Sequence, residues 1–257
     1  MEIRVLGAHN LESATTRLTS ILIDETLVVD AGGLTSSLSL DEQRKIGSIL
    51  LTHCHYDHIK DVAAIGLASS YFKKTIDVYS LPSTLEVLST NILNGVIYPK
   101  FHEIRTPDHA PIAFHPLKVH DPVDIDGYQV LAVPVEHSMA SVGYQIKSRD
   151  GKSVFYSGDA GPGLSSCWEH VTPQLLITEV TLPNRMHQHG VSTGHLTPEL
   201  LAEELSQFKK SKGYLPQVVV VHLAPLFEDE IGKEVEQVSR DLGAAISLGH
   251  EGMKLSL

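Results

Sequence analysis

Cysteine is almost missing from this chain: Cys54 and Cys167 are the only two among 257 residues. Two such residues build no disulfide framework, which excludes the disulfide-stapled secreted class. No apolar run approaches the roughly 20 residues that a membrane span needs. The opening MEIRVLGAHN has neither the basic nor the apolar stretch of an export signal. A cytoplasmic protein without a membrane partner is therefore expected. Positive charge is scarce too, with 20 Lys and Arg against 31 Asp and Glu and a net charge of -11. Proteins that grip a nucleic-acid backbone displace its counterions with Lys and Arg, so no nucleic-acid partner is expected. A small anionic substrate stays admissible where metal ions supply positive charge locally. Hydrophobic residues are not lacking: at 42% of 257 residues they can bury a substantial core, and one domain over 1–257 is expected.

Short apolar runs predict strands at 2–6, 18–23, 26–30, 47–52, 76–80, 128–135, 141–148, 152–158, 174–179 and 217–222, with AISL and MKLSL closing the chain. Helical spacing appears in 61–74 and around Leu85, Leu88 and Ile92. It returns in Leu201, Leu205 and Phe208, behind Thr197 as N-cap and Pro198 at the first helical position, and in Ile231, Val235, Val238 and Leu242. Residues 94–126, rich in Pro, His and aromatics without a period, read as loop and short strand able to cover a site. Two β-rich halves, each ending in helices, predict an α/β chain of two packed sheets with helices outside, not an alternating βαβ fold.

The stretch LTHCHYDHIKD, 51–61, carries the strongest chemical signal. His53, His55 and Asp57 lie two apart, so an extended segment points all three to one side, whereas His58 needs a turn to join them. By the same alternation Cys54 points away and reads as packing; Cys167 carries no local signal. Catalytic metals want about three protein ligands each plus an open position, so the cluster needs partners. His137 follows the strand VLAVPVE, Asp159 follows SVFYSG, and His222 ends QVVVV. With the cluster they make seven candidate ligands for two divalent ions. Mixed imidazole and carboxylate donors suit Zn, and the same set accommodates Fe or Mn.

VVDAG, HCHYDH, the following His137, SGDAGP and VHLAP, in this order over nearly the whole chain, resemble the motifs of metallo-β-lactamase-fold hydrolases. The resemblance implies a four-layer αββα sandwich with a dinuclear centre at one edge of its two sheets. His53, His55 and His137 would hold one metal, Asp57, His58 and His222 the other, with Asp159 bridging; Asp57 also counts among the catalytic groups. Asp30 would brace the histidine loop. LNGVIYPKF, VEHSMASVGYQI, ITEVTLPNR, TGHLTPELLAEEL and VHLAPLFEDEI narrow the resemblance to the class II cyclic-nucleotide phosphodiesterases. This implies hydrolysis of a small phosphodiester, a 3′,5′-cyclic nucleotide (cAMP or cGMP), by a metal-bound hydroxide, and a homodimer.

His195 in TGHLTP is not needed as a ligand and is expected to donate a proton to the leaving sugar oxygen. Glu179 and Thr197 are expected to orient it or the ribose, and Asn94, Tyr98 and Phe101 to cover the purine base. His187 and His189 read as surface or lid positions. The chain departs from the family pattern at Tyr56, where leucine is usual, and at Asp61, where Ile-x-Gly is usual; Asp61 is expected to cap the helix that starts there. Rival readings are an RNase Z-like endonuclease, a thioester or lactone hydrolase, and a non-hydrolytic di-iron protein that binds oxygen or passes electrons. Redox members of the superfamily place a glutamate where His55 stands and add a flavin domain.

Overall fold

Runs of β-branched and aliphatic residues that are buried on both faces form the strands. The computed structural model describes residues 1–104 and 109–257. One sheet holds β1 (Glu2–Gly7), β2 (Ser20–Ile23), β3 (Leu27–Val29), β4 (Ser48–Leu50), β5 (Ile76–Ser80) and β6 (Ile112–Pro116) in that order, with the last strand of the chain, Lys254–Ser256, beside β1. The other holds β7 (Val123–Ile125), β8 (Tyr128–Val135), β9 (Ser141–Lys147), β10 (Ser153–Tyr156), β11 (Leu175–Glu179), β12 (Gln217–Val221) and β13 (Ile246–Leu248); the Lys254–Ser256 strand is β14.

Helices follow in chain order: α1 (Leu34–Ser37), α2 (Leu40–Gln43), α3 (Tyr56–Ile59), α4 (Val62–Phe72), α5 (Pro82–Val87), α6 (Ser165–Trp168), α7 (His187–Thr193), α8 (Pro198–Lys212) and α9 (Glu228–Leu242). Burial divides into three apolar layers. Leu27, Val29, Leu50, Tyr144, Tyr156, Val219 and Val221 fill the space between the sheets. Val28, Ile49 and Val78, on the other face of the first sheet, pack under Val62, Ile65 and Leu85 of α4 and α5. Phe155, Val218 and Val220 meet Leu201, Leu205 and Phe208 of α8 and Ile231 and Val235 of α9. Strand residues thus alternate between two cores, and the molecule is the expected αββα sandwich.

The chain is two packed sheets and not one alternating βαβ sheet, as expected, but each sheet is mixed and contains a parallel run. β3 to β6 are parallel neighbours, and so are β10 to β13. Interior parallel strands are covered on both faces and read as short continuous apolar runs, so nothing in their pattern separates them from a buried antiparallel strand. Their shared direction brings the C-terminal ends of β3, β4, β10, β11 and β12 to one edge. That edge carries the histidines.

Within 94–126, β6 and β7 are the short strands expected, while residues 105–108 lie outside the described residues. Thr197 caps α8 as expected, accepting from Leu200 N, with Pro198 next and Gly213 closing the helix in the left-handed conformation. Among the described residues no helix is long and apolar enough to cross a membrane.

Candidate metal centre

Asp30 ends β3 fully buried and with φ of 57°, a conformation that costs a residue with a Cβ about 1–3 kcal/mol. Its carboxylate explains why the position is kept. It accepts from Thr52 N at 2.8 Å, Thr52 Oγ1 at 2.9 Å, His58 Nδ1 at 2.7 Å and the Tyr156 hydroxyl at 2.9 Å. One carboxylate therefore ties β3, the loop after β4 and the second sheet together. The expected bracing role of Asp30 is what these contacts describe.

From this hub the ring nitrogens sort themselves. Thr52 Oγ1 donates to Asp30, so it accepts from His53 Nδ1 at 3.0 Å, which leaves a lone pair on His53 Nε2. His137 Nδ1 lies 2.9 Å from the Gly194 carbonyl and must be its N–H. Thr181 Oγ1 donates to Glu179 Oε2 at 2.5 Å and so accepts from His222 Nδ1 at 2.8 Å. The outer nitrogens of these three rings are protonated, and their Nε2 atoms turn inward, that of His222 towards the carboxylates of Asp57 and Asp159.

Inside, His53 Nε2 and His137 Nε2 lie 2.9 and 3.2 Å from His55 Nδ1. Nitrogens at that spacing attract one another only through a proton or a cation. Asp159 is 2% exposed, and it sits 3.1 Å from His58 Nε2, 3.3 Å from His222 Nε2, 3.8 Å from His53 Nε2 and 3.9 Å from His137 Nε2. His58 Nε2 and Asp159 Oδ1 are buried 3.1 Å apart, an ion-pair distance that satisfies hydrogen-bond geometry for neither. Asp57 Oδ2 approaches His222 Nε2 at 3.2 Å and His58 Nε2 at 3.6 Å. Among the described residues, His53, His55, His137 and Asp159 form one group whose donor atoms lie within 4.8 Å of one another, and Asp57, His58, Asp159 and His222 form another. The donor chemistry, and a buried His58–Asp159 pair that lacks hydrogen-bond geometry, fit two divalent ions with Asp159 common to both.

The electrostatics agree. Burial and the neighbouring imidazoles hold the His53 pKa well below 6.5, which keeps its Nε2 lone pair free. Burial opposes charge on Asp57, but His222 and His58 outweigh it and bring the carboxyl to about 2. At His58 burial is likewise outweighed, by Asp159 and Asp30, and the pKa rises well above 6.5. A proton or a metal ion on His58 Nε2 satisfies the same pair of carboxylates.

His195 stands between the groups, its ring 5.2 Å from that of His137 and 5.5 Å from that of His222, nearly parallel to the latter. Its Nδ1 lies 2.7 Å from Glu179 Oε1. Burial works against its charge, but Glu179 raises its pKa to about 9. With Nδ1 engaged, the proton available to a bound molecule is on Nε2.

Of the expected substrate contacts, several are engaged within the fold. Glu179 is fully buried and accepts from Ala160 N, Thr181 Oγ1, His195 Nδ1 and Leu196 N, so of its two expected partners it meets His195. Thr197 is fully buried and its hydroxyl is taken by the α8 cap. Phe101 is 3% exposed and belongs to the core under α4; an aromatic in a loop reads alike whether it points out or in. Asn94 turns its side-chain carbonyl to Val96 N and Ile97 N, closing its own loop. Tyr98 is half-buried, packed against the same core. Asp61 occupies the N-cap position of α4 but makes no side-chain cap there; it accepts instead from Thr35 N at 2.7 Å, in the first turn of α1. Tyr56 is 63% exposed. His187 and His189 fall on α7, a helix without a sequence signal, and Cys54 Sγ lies 3.4 Å from Met139 Sδ.

Thr52, Thr181, Tyr156 and Gly194 were not signalled by the sequence. Gly194 has φ of 73°, and a Cβ on it would lie 3.1 Å from His137 Cα and Nδ1. Gly194→Ala is expected to displace His137 and weaken the first ion by about 10–100-fold, the range for a disturbed outer partner of a ligand. Chelator competition measures it; an unchanged affinity refutes the packing argument.

A family profile described as the β-lactamase superfamily domain matches residues 20–222. A 3′,5′-cyclic-nucleotide phosphodiesterase of Aliivibrio fischeri is 24% identical over 229 residues, 73% of this chain and 68% of that protein. A ribonuclease Z of Methanococcus aeolicus is 22% identical over 218 residues, 80% of this chain and 64% of that one. The chain thus spans about two-thirds of the length of these two relatives. Among solved structures, unliganded yeast PDE1 superposes with a TM-score of 0.84 at 18% identity, covering 100% of this chain and 99% of that one. Human tRNase Z, short form, gives 0.71 at 18% identity, with coverage of 100% and 99%. The profile takes in both the histidine cluster and His222, and on that match the chain belongs to the β-lactamase superfamily.

Proposed function

We propose that the chain is a metal-dependent phosphodiesterase acting on a small phosphodiester, in first place a 3′,5′-cyclic nucleotide. The observation that carries this reading is His195, a histidine held by Glu179 with its ring beside those of His137 and His222. Two divalent ions bound by His53, His55 and His137, by Asp57, His58 and His222, and by Asp159 in common would supply positive charge for the phosphate and a water acidified towards neutral pH. Every other part belongs to the chain. Breaking the P–O bond leaves charge on the sugar oxygen, and His195 Nε2 gives that oxygen its proton. Glu179 keeps the ring charged and aimed. Asp57, the most exposed carboxylate of the cluster at 27%, is placed to orient the attacking water.

A second reading, cleavage of RNA, is favoured by the relatives named ribonuclease Z. The net charge of -11 speaks against it, since RNA-gripping surfaces are basic. The test is elemental analysis of purified protein together with turnover of cyclic AMP, cyclic GMP, bis(p-nitrophenyl) phosphate and a tRNA precursor. Two ions per chain with cyclic-nucleotide hydrolysis are expected. Cleavage of the precursor alone replaces the substrate class, and iron with an oxygen-dependent visible band and no hydrolysis overturns the enzyme.

A further inference from the structure

His9 lies outside both groups of donors, yet it is 3% exposed and both its ring nitrogens meet carboxylates. Nδ1 is 2.7 Å from Glu251 Oε1 and Nε2 is 3.2 Å from Glu228 Oε2. An imidazole donates from both nitrogens only as the cation. Three parts of the chain meet there: the segment leaving β1, the turn before β14 and the first residue of α9. The backbone around His9 also grips the residue after His222, with Leu223 N donating to Ala8 O at 2.9 Å and Asn10 N to Leu223 O at 3.1 Å. His222 itself has φ of 58°. A residue with a Cβ leaves that conformation unless its surroundings over-determine it. Residues 222–228 are therefore fastened to 8–10 at both ends, by backbone at Leu223 and by the His9 ring at Glu228.

We propose that His9, as a cation bridging Glu228 and Glu251, is a positioning residue that holds His222 in its ion-facing conformation. The inference rests on His222 being a ligand of the second ion. Without the bridge, the start of the segment keeps the Leu223 backbone bonds, the Ala224 N–H to Thr181 O and the Thr181 hydroxyl at His222 Nδ1, but its far end at Glu228 loses its tie to 8–10, and His222 is held less firmly towards Asp57 and Asp159. The charged groups around His9 are Glu228 on α9, Glu251 before β14 and Arg17 ahead of β2. Arg17 donates its backbone N–H to Glu251 Oε1 at 2.7 Å and turns its guanidinium to the Ser13 and Thr16 carbonyls. Burial opposes the His9 charge, and the two carboxylates outweigh it, so its pKa is raised above 6.5. A raised folded-state pKa contributes stability in full below the unfolded value and loses it as pH rises through the folded one.

Two variants test this: His9→Gln, which keeps a donor but carries no charge, and the milder Glu228→Gln, which leaves the bond to Glu251. The affinities of both ions are measured by chelator competition, and thermal unfolding of ion-free protein is followed as pH is raised from about 6. His9→Gln is expected to weaken the second ion about tenfold or more with the first unchanged, and to show a Tm deficit that shrinks as pH rises. Glu228→Gln should show the same pattern, smaller, and decides alone if His9→Gln does not fold. An unchanged second ion, equal weakening of both, or a deficit independent of pH overturns the proposal. Retention of both ions by His222→Ala overturns the ligand reading instead.

Discussion

Asp159→Ala is expected to leave at most one ion per chain and to cut phosphodiester turnover at least about 10³-fold, the scale of losing one preorganised electrostatic group. The reason is position. Asp159 is the only carboxylate within 4 Å of an Nε2 atom from both groups of histidines among the described residues, His53 and His137 on one side and His58 and His222 on the other. Its removal leaves His53 and His137 without that carboxylate and His58 and His222 with only Asp57 at their Nε2 atoms. The alanine protein must still show native circular dichroism for the loss to count as a loss of site. Two ions retained per chain would end the bridging assignment.

The second large effect is expected from His195→Ala. A positioned general acid contributes about 10²–10⁴-fold, so cyclic-nucleotide turnover should fall by that much while both ions stay. The leaving group separates donation from mere packing. A ribose oxygen departs as a strongly basic alkoxide and needs the proton, whereas p-nitrophenolate is stable without one. Bis(p-nitrophenyl) phosphate turnover should therefore drop far less. Equal losses on both substrates, or a lost ion, would show that His195 does not act as the acid.

The candidate ligands were legible because each is a rare residue type standing where an apolar run stops. His137, Asp159 and His222 follow β8, β10 and β12, and strand direction then brings them to one edge. Thr52, Thr181 and Tyr156 were not legible for the opposite reason. Hydroxyl residues are ordinary in strands, and these acquire a role only where Asp30 meets the second sheet or Glu179 meets His222. Phe101 failed because composition does not say which way a loop aromatic points, and here the α4 core claims it. Asp61 was placed correctly at a helix start but on the wrong helix, since its side chain reaches across to Thr35 while its own backbone serves α4. Local pattern predicts what a residue can bond; only tertiary contact decides which partner wins.

The donors come from both sheets. His53, His55, Asp57 and His58 follow β4 in one, and His137, Asp159 and His222 follow strands of the other. Ions bound there would be rivets through the seam of the sandwich, and their binding free energy would become part of the work of separating its halves. A single ligand at a hundred times its dissociation constant adds about 2.7 kcal/mol to the folded state, a sizeable share of the roughly 5–15 kcal/mol that holds a domain folded. On the proposed reading, metal supply would govern persistence as well as turnover.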